Sequence, residues 1–391
     1  MQHVRSILAL LVLLHVARTS ANEPAATVNE QLATGIDFLI TSQEGPSQAE
    51  WPYEGVYRVR QDGQSIIPIG YRVGGTALVS TALLHLPDTS GSTDDRTAAL
   101  TRSITFLCES TKDPLMQWTD YEGGYDVRGW GYIYALDFLC DLQQAGAVPE
   151  DLEDAVRNAV AFYTRALQQI AIPDWGGWTY SRNRDVRKPC PQAPFMTGPA
   201  LQALFAAAEH GLEVDPDTIT AALDALERSR STTGGVEYSG GLEQAPPDTH
   251  AAGAAGRMLA SETTLYLAGR GSLARVRGAI DSFLAFWDEL EARRGKTGTH
   301  KGAYGVAPYY FFFAHYYAAQ AIELLPDPIR VEYRKPLRRR LEQVRLDDGL
   351  WNDRVFARSA SYGTALALLS LHMADTPPPP TWSPTPTTPP N

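Results

Sequence analysis

Along LEDAVRNAVAFYTRALQQI, apolar side chains fall at positions 152, 155, 156, 159, 160, 163, 167 and 170, which is one stripe of a helix. Glu153, Asp154, Arg157, Asn158, Arg165 and Gln168 take the opposite face, so this helix is predicted to be half exposed. A second kind of segment alternates with it. GGTALVSTALLHL, GWGYIYALDFLC, GPALQALFAAAEH, SETTLYLAG, YYFFFAHYYAAQAIELL and GTALALLSLH are apolar nearly all round, the pattern of helices buried on most sides. Between the two kinds stand glycine-aromatic turns: AEWPYEG at 49–55, EGGY at 122–125, DWGGWTYS at 174–181, TGGVEYSGG at 233–241, KGAYG at 301–305 and DDGLWND at 347–353.

Six units of helix, glycine-aromatic turn and more apolar helix are a repeat architecture. The economical packing is a double ring, with amphipathic helices outside and apolar helices inside, closing on itself so that no end is left ragged. The predicted fold is therefore all-α, a six-repeat α/α toroid over residues 28–373. Glycines in the turns supply conformations a Cβ would penalise, and the adjacent tryptophan or tyrosine packs back over the helix ends. Gly75, Gly198 and Gly363 are expected where inner helices crowd. Pro308 and Ser359 suit helix starts.

These turns resemble those of a known family, the six-repeat toroids of squalene and terpenoid cyclases and of protein prenyltransferase β subunits. GGWTY, and Gln343 followed by Gly349-Leu350-Trp351, are similar to the cyclases' QW motif. The resemblance implies the toroid and a central cavity for an isoprenoid-like ligand. It does not carry over the catalytic residues. The acidic pairs Asp94-Asp95 and Asp347-Asp348 lack the cyclases' Asp-x-Asp-Asp pattern, and no Asp-x-Cys with a distant histidine matches the zinc site of the prenyltransferases. The thioester and lanthionine-cyclase patterns of other toroids are absent as well. No cofactor and no metal are expected; Cys190, Asp185 and His250 are the conceivable metal set, and their spacing is unspecific.

The formal net charge of -11 over 391 residues argues against general nucleic-acid or anionic-membrane binding. His3 and Arg5 lead into the apolar run Ile7 to Val16, and Thr19-Ser20-Ala21 offers a cleavage site, so residues 1–21 read as a secretory leader and the protein as exported, periplasmic or extracellular. The run is too short for a membrane span. Residues 374–391 form a Pro/Thr-rich tail that cannot build a core. Three cysteines permit at most one disulfide, and Cys108 with Cys140 is an improbable pair because successive helices put them at opposite ends.

In the predicted ring all six long turns and all six inner-helix N-termini gather at one mouth, a setting that favours an anion. Arg72, Arg128, Arg257, Arg354 and Arg358 sit at or near those starts. They either pair with Glu54, Asp126, Glu262 and Asp353 or form an electropositive funnel for an acidic ligand. The fifth inner helix, from Pro308, brings Tyr309 and Tyr316 as candidate cavity-lining rings and His315 as a candidate acid or base, or a core residue with one good hydrogen bond. Glu262 and Asp137 are single carboxylates in apolar helices and need a partner or a raised pKa. His300 and Tyr304 on the KTGTHKGAYG loop, with Asn352 and the arginines, would suit proton abstraction beside a carboxylate. Three functions follow: a toroid that binds an amphiphilic or acidic small molecule, a lyase or hydrolase of acidic polysaccharide, and a noncatalytic scaffold.

Overall fold

The computed structural model describes residues 27–61, 63–88, 93–119, 121, 125–179, 187–240 and 249–383. The leader, most of the EGGY turn and Asp185 lie outside them. Six outer segments alternate with six inner helices. The outer set is α1 (Val28–Thr41), α3 (Thr93–Ser110), α5 (Glu153–Gln169), α7 (Pro216–Arg228), α9 (Leu273–Ala285) with the short α10 (Trp287–Glu291), and α12 (Ile329–Gln343). The inner set is α2 (Ile69–His85), α4 (Arg128–Gln144), α6 (Pro194–Glu209), α8 (Ala251–Leu267), α11 (Tyr310–Glu323) and α13 (Ala360–His372). Each inner helix touches the next, and α13 returns to α2, so the ring is closed. A small hairpin, β1 (Val59–Gln61) with β2 (Gln64–Ile66), decorates the first long turn.

Local chemistry explains where the outer helices begin. Thr27 and Glu30 form a reciprocal capping box on α1, Asp215 caps α7 with Pro216 behind it, and Ser272 caps α9. The inner helices show almost no sidedness because both faces are covered. Val73, Ala77, Tyr132, Leu136, Leu204 and Ala318 are all fully buried.

The glycine-aromatic turns build the same staple three times. The indole Nε1 of Trp51 donates to Leu39 O at 2.8 Å, that of Trp178 to Leu167 O at 2.9 Å and that of Trp351 to Leu341 O at 2.9 Å. Each indole thereby satisfies one of the last carbonyls of an outer helix, which has no partner within the helix. The backbone N–H of the same three tryptophans donates to a threonine hydroxyl on the following inner helix, Thr76, Thr197 or Thr364, at 2.9 to 3.1 Å. One residue thus ties the end of an outer helix to the start of its inner partner. In DWGGW, Gly176 and Gly177 have φ of +76° and +80°, and a Cβ on Gly176 would stand 2.3 Å from the Ala221 backbone. Two glycines are needed because two successive residues take the left-handed conformation.

The crowding expected at Gly75 and Gly363 is present, but against a different neighbour. A Cβ on Gly75 would meet Trp51 O at 2.4 Å and one on Gly363 would meet Trp351 O at 2.5 Å, so both glycines admit the stapled turn. Gly198 alone of the three faces an inner helix, at Ala260 of α8. Gly75→Ala is therefore expected to cost about 1–3 kcal/mol by pushing the turn off α2, read as a lower midpoint in urea unfolding; an unchanged midpoint would mean that the turn is loosely seated.

Cys108, Cys140 and Cys190 form no disulfide. Among the described residues no helix is long and apolar enough to cross a membrane, and no group of three or more His, Cys, Asp or Glu is placed to hold a metal ion.

Candidate functional site: an aromatic cup at the mouth of the ring

The first turns of the inner helices carry large rings at matching places: Tyr71 on α2, Trp130 on α4, Phe195 on α6 and Tyr362 on α13. With Tyr53, Tyr309 and Phe313 they line a small hollow of about 40 Å³ that opens to solvent. Tyr53 stacks obliquely on Tyr362 at 4.6 Å, Tyr71 stands edge-on to Trp130 at 5.6 Å, and Phe195 meets Tyr309 at 5.7 Å across the cup. Gly74 makes this possible, since a Cβ there would lie 2.3 Å from the six-membered ring of Trp130. The exposed wall is mostly carbon. Such a surface receives an apolar group or, over a ring face, a cation.

One acid stands behind the wall. Asp353, fully buried in the last long turn, accepts from the Tyr53 hydroxyl through Oδ2 at 3.4 Å, while its Oδ1 has no partner. Burial pushes its carboxyl up to about 7, against the opposing pull of Arg354. Arg354 is itself buried, with Nε and Nη2 unsatisfied by the protein and its guanidinium 5.8 Å from the Phe356 ring. A buried cation with open donors next to a half-satisfied acid is an arrangement that a ligand's polar group could complete.

The other arginines of the mouth are committed to the protein. Arg72 grips Glu50 with two bonds of 2.6 Å; Arg128 is held by Asp126 at 2.9 and 3.0 Å and lies over Tyr121; Arg358 pairs with Glu44 at 2.6 Å and Glu54 at 3.0 Å. Arg257 donates to the carbonyls of Val236 and Gly253. Two expected pairings differ: Glu262 is bound by Arg230 rather than Arg257, and Asp353 forms no salt bridge with a rim arginine.

The residues expected to carry acid-base chemistry do not meet. His315 is fully buried on the outer side of α11, where Trp287 Nε1 donates to its Nε2 at 2.9 Å and its Nδ1 donates to Phe311 O at 2.7 Å. Burial pulls its pKa down to about 4, the state of a neutral core histidine. Glu262 is buried under its Arg230 bridge. Both face helix contacts instead of the cavity. His300 contacts Tyr309 through Nε2 at 3.1 Å and so touches the cup's edge, whereas Tyr304 lies exposed against His250, ring centroids 5.0 Å apart. Asn352 braces its own turn by donating to Phe356 O and accepting from Arg354 N. Tyr309 lines the cup, but Tyr316 lies at the other end of the ring.

Several solved structures share this architecture. The GH76A alpha-1,6-mannanase from Salegentibacter sp. HEL1_6 superposes with a TM-score of 0.55 at 12% identity, covering 89% of this chain and 100% of that one. The Lin0763 protein from Listeria innocua gives a TM-score of 0.55 at 12% identity, covering 89% and 97%. A variant of the type II terpene cyclase MstE from Scytonema, in complex with merosterolic acid A, gives 0.50 at 14%, covering 89% and 97%. The chain is an α/α toroid. At these identities the likeness is one of fold alone, and no protein-family model and no curated protein matches the sequence. The toroid expected from the turns is thus the fold observed, and its chemistry rests on its own residues.

Proposed function

We propose that this toroid is an exported binding protein or enzyme for an amphiphilic small molecule, whose apolar part enters the aromatic cup and whose anionic end reaches Arg354. The observation that carries the reading is the cup itself: rings from the long first turn and from five inner helices converge on one hollow that no charged side chain lines. Isoprenoid-like chains fit such a wall, because a carbon surface offers them contact without leaving hydroxyls unsatisfied. Sugar rings fit it poorly, since their hydroxyls need several donors and acceptors, and the rim arginines that an acidic glycan would use are spent on Glu50, Asp126, Glu44 and Glu54. If the bound molecule carries an alkene or another proton-accepting centre, protonated Asp353 behind Tyr53 is the acid placed to serve it.

The test is a calorimetric titration of residues 22–383 with geranyl diphosphate, geraniol and an acidic oligogalacturonide. The diphosphate is expected to bind, the Tyr71→Ala/Tyr309→Ala variant to weaken it at least tenfold, and Arg354→Gln to weaken the diphosphate more than geraniol. Binding of the oligogalacturonide instead, unaffected by the double variant, would overturn the reading. No binding of any of the three would leave a scaffold whose mouth is closed by its own side chains.

A further inference from the structure

The opposite end of the ring holds a second, chemically distinct chamber. The tail leaves α13, and Thr376 to Pro380 run across the C-terminal ends of the inner helices as a strap. Trp382 anchors it, its ring stacked on Phe205 at 5.5 Å and its backbone N–H donating to Leu267 O at 3.1 Å; the Thr381 backbone N–H donates to Glu209 Oε1 at 3.2 Å. Under the strap is a space of about 60 Å³ open to the centres of water-sized spheres, enough for several waters. Tyr134 and Tyr317, whose hydroxyls meet, separate it from the aromatic cup; Tyr134 packs on Trp130 and Tyr317 on Phe313.

The chamber is built of acceptors. Asp137, Asp141 and Glu209 line it, and no lysine or arginine does. Several of its own donors are committed: Gln202 and Gln320 bond each other through both amides, Gln202 also reaches Thr264, the Thr81 hydroxyl donates to Ala77 O, and His85 Nε2 lies 2.9 Å from Asp141 Oδ2; Gln144, His210 and Tyr316 also line it. The roof adds none, because consecutive prolines have carbonyls and no N–H. The last turns of α2, α4, α6 and α13 all border the space and turn their negative dipole ends toward it. In its wall Asp137, half-buried, receives no hydrogen bond from any described residue, and burial beside Asp141 holds its carboxyl well above the ordinary range. The ring faces of Tyr134, Tyr316 and Tyr317 complete the walls.

We propose that this chamber binds an organic ammonium ion, a primary amine or a short diamine, through Asp137, the helix carbonyls and the tyrosine faces, with the Thr376–Trp382 strap as its lid. An anion would find acceptors on every side, and an apolar guest would leave the Asp137 carboxyl unsatisfied. This site does not depend on the cup, which lies at the other mouth.

The experiment is a calorimetric titration of residues 22–391 with 1,4-diaminobutane at pH 8, against sodium chloride of matched ionic strength. Wild type, Asp137→Asn and Trp382→Ala are compared, with Asp141→Asn as a second lining variant if Asp137→Asn does not fold. Saturable binding that falls at least tenfold in Asp137→Asn and associates faster in Trp382→Ala is expected. Binding by Trp382→Ala alone also supports the site and means that the lid rests closed. Binding that Asp137→Asn leaves intact, or none in either wild type or Trp382→Ala, overturns the proposal.

Discussion

Trp351→Ala is expected to destabilise the toroid by about 3–5 kcal/mol, the usual cost of emptying a fully buried aromatic site. Trp351 is 0% exposed, and it joins three things at once: its indole satisfies Leu341 O at the end of α12, its backbone N–H is held by Thr364 of α13, and its carbonyl sits against Gly363. Removing the ring leaves a cavity, and leaves Leu341 O with only the Val344 N–H at 3.3 Å, at the joint where the last repeat meets the first, since α13 packs on both α2 and α1. Trp351→Phe keeps much of the area and loses the hydrogen bond, so its cost should be smaller, with about 1 kcal/mol of it assigned to the bond. Urea unfolding of the three proteins gives the comparison. A loss below about 1 kcal/mol for alanine would mean that the ring closes without this staple.

The second large effect concerns Asp353 and pH. Its carboxyl is raised from 3.8 to about 7, with burial as the cause. The folded state therefore holds this proton more tightly than the unfolded state does. The stability that comes from it is fully present below about pH 4 and is lost as pH rises through 7. At 1.36 kcal/mol per unit the loss is on the order of 4 kcal/mol. Asp353→Asn removes this dependence, so the variant should gain on wild type between pH 5 and pH 8 and exceed it at pH 8. Denaturant curves at several pH values check this; two stability profiles that run parallel across the window would show that Asp353 ionises in the fold as it does in water.

The two effects mark what was legible in the sequence. The staple was readable because it recurs: Trp51, Trp178 and Trp351 stand in the same relation to an outer helix end and to Thr76, Thr197 and Thr364, and turn glycines accompany them. Repetition turns a weak local signal into a strong one. The mouth of the ring was also readable from topology, and so was its candidate basic rim, but not how that rim resolves. Arg72 chose Glu50, which lies 22 residues away across a turn, and Glu262 chose Arg230 of the preceding loop rather than Arg257 on its own helix. Partner choice among charges depends on loop paths that hydrophobic periodicity does not encode.

The site itself was half visible. The aromatic helix from Pro308 drew notice because its rings are crowded together, yet it contributes only Tyr309 and Phe313 to the cup and turns His315 outward to Trp287. A period of 3.6 residues forces that division, since residues 309 and 313 share a face and 315 lies well around the helix. The rings that complete the cup, Tyr71, Trp130, Phe195 and Tyr362, are scattered singly, and their shared place in the first turn of an inner helix was the available signal. In the sequence Asp353 stands out only as an arginine's partner; its burial is a property of the closed ring. Nor does composition reveal that the proline tail returns to the molecule, because proline-rich segments lack a core of their own whether or not they find one to lie on.

The most direct test of the central claim, that the aromatic cup is the ligand site, is to photolabel the wild-type protein with a diazirine-bearing geranyl diphosphate and map the adducts by mass spectrometry. Labels on Tyr71, Trp130, Phe313 and Tyr362, competed away by unlabelled geranyl diphosphate, are the expected result. Labels confined to the outer helices or to the strap end, or labels that the competitor does not remove, would contradict it.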